Sequence, residues 1–124
     1  MHALIIEDEF FIVLAVVQAL KEIGFTSFDD ANCVAGAIAA ANRRRPDLIV
    51  ANHRLIDGTG TEAVRSICAG QGIAVVFVTA SAADVKAGLP DAIVVSKPFE
   101  ASSLHVAVKQ AQQNPLICRQ PPVQ

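Results

Sequence analysis

Residues 46–57 read PDLIVANHRLID, and this stretch decides the fold. Its apolar run, 48–51, follows a proline and an aspartate and ends abruptly at the amide side chain of Asn52. A short Ile/Val-rich run bounded by turn and polar residues is typical of a strand buried on both faces of a parallel sheet. Outward from this stretch, similar runs cover 3–6, 74–78 and 92–95, and a weaker one after Gly24, 26–28, predicts an edge strand.

The segments between these runs have the apolar spacing of helices. Apolar residues recur at helical intervals through 13–20, and Gly24 is a suitable C-terminal cap. Asn32 is the predicted N-cap of a second helix, which stops before Pro46. This second helix is predicted over 33–45, and three further helices are predicted over 61–68, 82–87 (a short one) and 104–111. Strands alternating with helices in this way predict an α/β fold, a flavodoxin-like (βα)5 doubly wound parallel sheet with strand order 2-1-3-4-5.

Composition and charge favour a single globular domain and argue against nucleic-acid binding and a membrane span. The chain has 124 residues, 52% hydrophobic and 18% charged, which predicts one globular domain with a real core. Lys and Arg number 10 and Asp and Glu 12, and the net charge of −2 argues against an electrostatic nucleic-acid binder. No stretch approaches the roughly 20 apolar residues of a membrane span, and the N-terminus lacks the features of a signal peptide. Scattered cysteines without a CxxC pair fit reduced thiols, so we expect a cytoplasmic protein.

Polar side chains directly follow four of the predicted strands. Acidic groups follow the first strand, an amide the third, a hydroxyl the fourth and an ammonium the fifth: Glu7, Asp8, Glu9, Asn52, Thr79 and Lys97. In the predicted order the first and third strands are neighbours at the switch point, so these groups converge on one sheet edge. Carboxylates with a third oxygen ligand suit Mg²⁺, and a lysine with a hydroxyl suits phosphoryl oxygens. Singly, each has an ordinary structural explanation, such as a helix-dipole contact or a turn, but their joint placement favours function.

Five motifs in this order resemble the receiver domain of bacterial two-component response regulators. They are LIIEDE (4–9), PDLIVAN (46–52), LIDGTG (55–60), VFVTA (76–80) and KPF (97–99), and the resemblance covers nearly the whole chain. It implies a receiver domain over 1–113, followed by an extended C-terminal tail, 114–124, containing proline and glutamine. In such domains a histidine kinase donates a phosphoryl group to an aspartate at the end of the third strand.

The resemblance also assigns roles to single residues. The implied Mg²⁺ ligands are Glu7, Asp8, the side chain at position 52 (Asn52) and the backbone carbonyl of Arg54. The implied phosphoryl-sensing residues are Thr79 and Lys97, and the Lys97–Pro98 peptide bond is expected to be cis.

The phosphoacceptor position holds Asn52 instead of aspartate, and this departure governs the functional prediction. An amide oxygen is a poor nucleophile, so we expect no ordinary acyl phosphate. Loss of the carboxylate also weakens the Mg²⁺ site, so we expect only weak Mg²⁺ binding in this form. Asp57, in the following Asp-Gly turn, is not expected to replace it as acceptor. Both a natural degenerate receiver and an engineered replacement fit Asn52.

Two further departures concern the face that the family commonly uses for output and dimerisation. Val94 stands where many receivers place an aromatic residue, three positions before Lys97. The stretch from Thr79 to Lys97 is also shorter than usual, which predicts a stubby fourth helix.

Three function classes compete. The leading prediction is a single-domain response regulator receiver in a phosphorelay, which is not an enzyme. Its expected partners are a sensor histidine kinase or phosphotransfer protein, an unidentified output protein and, as a further candidate, a second copy of the chain. The alternative is a pseudo-receiver that binds proteins without taking phosphate. A Mg²⁺-dependent phosphatase or flavin protein on the same fold is disfavoured, because residues 7–10 lack Asp-x-Asp spacing and no glycine-rich phosphate loop follows the first strand. No nucleic-acid or membrane partner is expected.

Overall fold

A five-stranded parallel sheet forms the centre of the computed structural model, which describes residues 1–118. The strands along the chain are β1 (His2–Ile6), β2 (Ser27–Ala31), β3 (Leu48–Ala51), β4 (Arg54–Leu55), β5 (Gly58–Thr59), β6 (Ala74–Thr79) and β7 (Ile93–Ser96). The sheet order is β2-β1-β3-β6-β7, while β4 and β5 form a separate small hairpin. With the hairpin set aside, this is the predicted order 2-1-3-4-5, and the flavodoxin-like architecture is confirmed.

Five helices cover the two faces of the sheet. They are α1 (Phe10–Glu22), α2 (Val34–Arg43), α3 (Gly60–Ile67), α4 (Ala82–Gly88) and α5 (Ala101–Gln113). One core cluster lies under α2, α3 and α4, and the other lies under α1 and α5. Alternate residues of β1 enter the two clusters, Leu4 in the first and Ile5 in the second. The central strands are therefore apolar on both sides, which explains their continuous hydrophobic runs.

The edge strand β2 has a polar sequence, SFDDA, and polar contacts hold it to β1. The imidazole of His2 is buried, with Nδ1 2.7 Å from Ser27 Oγ and Nε2 3.1 Å from Asp29 Oδ2. Arg44 donates a hydrogen bond to the same hydroxyl, at 2.9 Å. The edge strand predicted at 26–28 therefore exists, but it begins at Ser27 and continues three residues past Phe28, to Ala31.

Helix ends show where local sequence signals succeeded and failed. At the end of α1, Gly24 has a φ of +99°, and Phe25 N–H donates to the carbonyl of Leu20 at 3.1 Å, a glycine-based C-cap as predicted. The predicted Asn32 cap of α2 is wrong, because the Sγ of Cys33 accepts from the N–H of Gly36 at 3.3 Å. The helix thus begins one residue later than an Asn32 cap requires.

The far end of α2 also differs from the prediction. The helix ends at Arg43, before the expected 45, because Arg44 is extended with φ −150° and ψ 115°. That backbone lets Arg45 turn away and donate to Gln71 Oε1 at 2.9 Å and to the carbonyl of Gly72 at 2.7 Å. The arginine run is therefore partly structural, since it ties the turn before β3 to the turn before β6.

Residues 114–118 form a strap that crosses the loop between α3 and β6. Leu116 exchanges two backbone hydrogen bonds with Ile73, of 2.8 and 3.2 Å. Cys118 N–H donates to the Cys68 carbonyl at 3.0 Å, and the Cys118 carbonyl accepts from Gly70 at 3.1 Å. The sequence predicted an extended tail here without indicating these contacts; the remainder of that tail, 119–124, lies outside the described residues.

The strap closes over a buried thiol pair. Cys68 and Cys118 are both buried, whereas Cys33 is half-buried. Burial raises the pKa of the Cys68 thiol to about 12, with the nearby Cys118 adding to the rise. Burial also raises the pKa of Cys118. Both groups therefore act as small apolar side chains at neutral pH.

The helices of residues 1–118 are all too short, or too polar, to cross a bilayer.

We expect the strap to stabilise the domain through Leu116, which packs against the core, and not through Ile117, which is 66% exposed. Leu116→Ala should lower the free energy of unfolding by about 1–2 kcal/mol through lost apolar burial. The matched substitution Ile117→Ala should change it by less than about 0.5 kcal/mol. Urea denaturation followed by circular dichroism measures both. Equal losses in the two variants would contradict the strap's packing as described.

Candidate functional site

The side chains predicted to converge do so at the carboxyl ends of the central strands. Glu7 follows β1, Asn52 follows β3, Thr79 ends β6 and Lys97 follows β7. The Nζ of Lys97 lies 2.6 Å from Glu7 Oε1, and Asn52 Nδ2 lies 3.1 Å from Glu7 Oε2. Residues separated by 45 and 90 positions along the chain thus meet at one carboxylate.

Glu7 is the centre of this cluster and is only 4% exposed. Besides Lys97 and Asn52, its Oε2 accepts the backbone N–H of Asp8 at 3.0 Å. Burial raises the pKa of the Glu7 carboxyl, while the Lys97 hydrogen bond and positive charge oppose that rise. Lys97 Nζ is also 3.7 Å from a carboxylate oxygen of the exposed Glu9. The ammonium therefore compensates the buried charge of Glu7 directly and also attracts the carboxylate of Glu9.

Asn52 donates two side-chain hydrogen bonds with the same nitrogen. Its Nδ2 contacts Glu7 Oε2 and, at 2.9 Å, the backbone carbonyl of Arg54. Both partners are acceptors, so the amide must present its NH₂ group to them and its oxygen elsewhere. The backbone N–H of Asn52 donates to the Ile6 carbonyl at 2.8 Å, which fixes the position of the residue on the sheet.

A glycine next to the site allows the chain to pass close to Asn52. A Cβ atom on Gly60 would lie 1.9 Å from the backbone oxygen of Asn52, well inside van der Waals contact. The Gly60 N–H also donates to the carbonyl of His53 at 2.6 Å. The start of α3 is thus packed directly against the loop after β3, and only glycine fits there.

Thr79 and its neighbours form the opposite wall. Thr79 is 1% exposed, and its Oγ1 accepts the backbone N–H of Ser81 at 3.0 Å. Arg54 reaches across and donates a long hydrogen bond of 3.4 Å to Ser81 Oγ. Between the walls lies a cavity of about 180 Å³, which Asp8, Glu9, Asn52, Arg54, Thr79, Ala80, Ser81 and Lys97 line. The cavity therefore carries charges of both signs.

The acidic residues at the end of β1 are close enough together to hold a cation. Glu7, Asp8 and Glu9 each offer a carboxylate oxygen within 4.8 Å of the others. The arrangement around Asn52 nevertheless fits Mg²⁺ poorly, because its NH₂ group already engages two of the implied ligands, Glu7 and the Arg54 carbonyl. Only an amide turned to present its oxygen could join those ligands around a cation.

Several features of the site were not found by sequence reasoning. The side chain of Arg54 was overlooked because only its carbonyl was considered, and Gly60 was included in a motif without a role. Asp57 lies away from the cluster, where its Oδ1 accepts the N–H of Val34 at the start of α2 with a distance of 3.0 Å. The Lys97–Pro98 peptide bond is cis.

Comparison with known proteins identifies similar domains. A family model described as the response regulator receiver domain matches residues 3–109. No curated protein matches the chain. Among solved structures, the chain is similar to the PhyR response regulator REC domain of Erythrobacter litoralis, with 27% identity and a TM-score of 0.82 over 98% of this chain and 95% of that one.

Two longer PhyR proteins are also similar. The response regulator PhyR from Brucella abortus is 28% identical with a TM-score of 0.81, covering 90% of this chain and 47% of that one. A variant of the anti-anti-sigma factor PhyR from Bartonella quintana is 27% identical with a TM-score of 0.81, covering 90% of this chain and 48% of that one. The chain therefore spans about half the length of these two proteins.

The close approach at Gly60 predicts a specific defect. Gly60→Ala should lower the free energy of unfolding by about 2–3 kcal/mol, because the new methyl group meets a backbone carbonyl that cannot move freely. It should also shift the NMR resonances of the Asn52 side-chain amide. Gly88→Ala is the control, since its Cβ meets the movable Arg65 guanidinium at 3.2 Å and a Thr61 methyl at 3.3 Å. If both variants unfold alike and the Asn52 resonances stay in place, the packing is not as described.

Replacing the amide with a carboxylate should destabilise the metal-free protein. Asn52→Asp loses two hydrogen bonds and places a negative oxygen beside Glu7 and the Arg54 carbonyl, so we expect a loss of about 1–3 kcal/mol. Saturating Mg²⁺ should restore much of it by ligand linkage. Melting curves with and without Mg²⁺ measure the effect. Asn42→Asp adds the same charge on the exposed surface of α2. This control should neither lose stability in metal-free buffer nor gain stability when Mg²⁺ is added. A more stable Asn52→Asp protein in metal-free buffer would be inconsistent with this cluster.

Proposed function

Because this chain belongs to the response regulator receiver domain family, we propose that it is a cytoplasmic receiver module of two-component signalling that is not phosphorylated in the usual way. The module transmits a signal by binding other proteins and carries out no enzymatic reaction of its own. The proposed receiver domain covers 1–113, and the strap, residues 114–118, is an addition to it.

The hydrogen bonding of Asn52 carries this proposal. In the family, the residue at this position attacks a phosphoryl group with a carboxylate oxygen. Here the side chain is a neutral amide, whose nitrogen lone pair is delocalised and whose two hydrogens point at Glu7 and the Arg54 carbonyl. Neither atom of the amide is a competent nucleophile for ordinary acyl phosphate formation.

The same contacts favour the phosphorylation-independent alternative over a merely inactivated receiver. Glu7 accepts hydrogen bonds from Lys97, Asn52 and the Asp8 backbone, so groups of this chain compensate its buried charge. Thr79, the implied phosphoryl sensor, is likewise engaged by the Ser81 backbone. These contacts support a pseudo-receiver that holds one conformation in the absence of a phosphodonor, with Mg²⁺ at most a weak ligand.

The proposed partners are the proteins that bind receivers. A sensor histidine kinase or phosphotransfer protein would dock near the strand ends, and an output protein would bind elsewhere on the surface. Of the similar proteins, one is described as an anti-anti-sigma factor. We therefore include a regulator of transcription initiation among the candidate output partners, and a second copy of the chain remains a further candidate.

Phosphorylation by a small phosphodonor tests the proposal. With acetyl phosphate and Mg²⁺, the protein should show no added phosphoryl mass, whereas Asn52→Asp should gain one base-labile phosphoryl group. Intact-protein mass spectrometry measures both, and Asn42→Asp is the control for an added carboxylate away from the site. A phosphoryl group on the unaltered protein, mapped by proteolysis to the loop after β3, would overturn the proposal.

A further inference from the structure

The strand β7 is an edge of the sheet, and none of the strands formed by residues 1–118 lies on its outer side. Lys97 N–H donates to the Thr79 carbonyl of β6 at 3.0 Å, so odd-numbered residues of β7 bond inward. Because backbone groups alternate along a parallel strand, the N–H and C=O groups of Val94 and Ser96 point outward. Within residues 1–118 no backbone partner meets them.

The two edges of the sheet are protected to different degrees. The other edge, β2, carries Asp29 and Asp30, and charged side chains of this kind discourage the addition of another strand. In contrast, β7 reads IVVS and has no charged residue or proline. An uncharged β-branched strand with free backbone groups is suited to pairing with an extended segment.

A groove runs beside this free edge. One cavity of about 700 Å³ lies between β7 and α5, and a second of about 660 Å³ continues it toward the strap. Ile93 and Gln110 line both cavities, so the two are adjacent along β7 and α5. Val106 of α5 stands at the groove wall with 62% of its surface exposed. The short α4 lines neither cavity, which leaves this side of β7 open.

The charged side chains that residues 1–118 contribute to the groove are acidic. Asp91 lies at the end near the strap and Glu100 at the end near α5's first turn, and no lysine or arginine of the described residues lines either cavity. We propose that the free edge of β7 binds an extended peptide segment as an added strand, with an apolar, β-branched centre flanked on both sides by basic residues. The main-chain groups of Val94 and Ser96 supply the hydrogen bonds, and the two carboxylates select the flanks.

The charge pattern also distinguishes this partner from a second copy of the chain. Two β7 strands paired antiparallel about a two-fold axis would bring the Asp91 end of one copy to the Glu100 end of the other. Like charges would then meet at both ends of the interface. A peptide with basic flanks satisfies both carboxylates in either strand direction. This binding does not depend on the state of Asn52, so it stands apart from the proposed function.

Titration with a fluorescein-labelled synthetic peptide, KKVTVTVKK, tests the inference. We expect saturable binding by fluorescence anisotropy, with at least about tenfold slower hydrogen exchange of the Val94 and Ser96 amides in the complex. The charge-reversed peptide EEVTVTVEE and a form of KKVTVTVKK that is N-methylated at its five central residues should not bind measurably. The combined substitution Asp91→Asn with Glu100→Gln should weaken binding about tenfold at low salt and much less at high salt.

Other outcomes overturn the inference. Binding that leaves the Val94 and Ser96 amides unprotected would place the peptide elsewhere on the surface. Equal binding of the N-methylated peptide would show that no strand is added. Protection of the same amides without peptide, together with a dimer in sedimentation, would assign the edge to a second copy. Absence of binding at millimolar peptide would likewise refute the proposal.

Discussion

The buried carboxylate of Glu7 determines how the loops at the carboxyl ends of the central strands are arranged. An ionised carboxylate removed from water is very unfavourable unless donors and a positive charge surround it. Here two of those donors come from distant parts of the chain, the ammonium of Lys97 and the amide of Asn52, and the third is the backbone N–H of the adjacent Asp8. The strand order that brings β1 between β2 and β3 is what makes this convergence possible. Polar groups that are satisfied by one another in this way also specify a single arrangement of the loops that carry them.

The parts of the fold that depend on burial were predictable. Runs such as 48–51 lie between two helix layers, and no other environment in a small domain accommodates an uninterrupted apolar strand. The site was predictable to the same extent, because parallel strands deliver their following residues to one edge. Glu7, Asn52 and Lys97 meet there for that reason alone.

The features that escaped prediction depend on partners far apart in the sequence. The strand β2 continues through the polar residue Asp29 because the Asp29 carboxylate contacts the buried imidazole of His2. Nothing in the local sequence around either residue predicts this contact. The strap forms because the loop before β6 leaves backbone groups free for Leu116 and Cys118. The direction of the Asn52 amide follows from the Arg54 carbonyl, whose position is set by the β4–β5 hairpin. In each case a tertiary contact overrides weak or absent local signals.

The close contact between Gly60 and the backbone of Asn52 has a consequence for the history of this domain. The packing of Gly60 against the loop at position 52 involves the main chain there and not the terminal atoms of the side chain. Asparagine and aspartate have the same shape, and their codons differ at one base. The receiver fold is thus retained around an amide side chain at this position. An exchange between asparagine and aspartate at position 52 therefore leaves this backbone contact in place and needs only one base change.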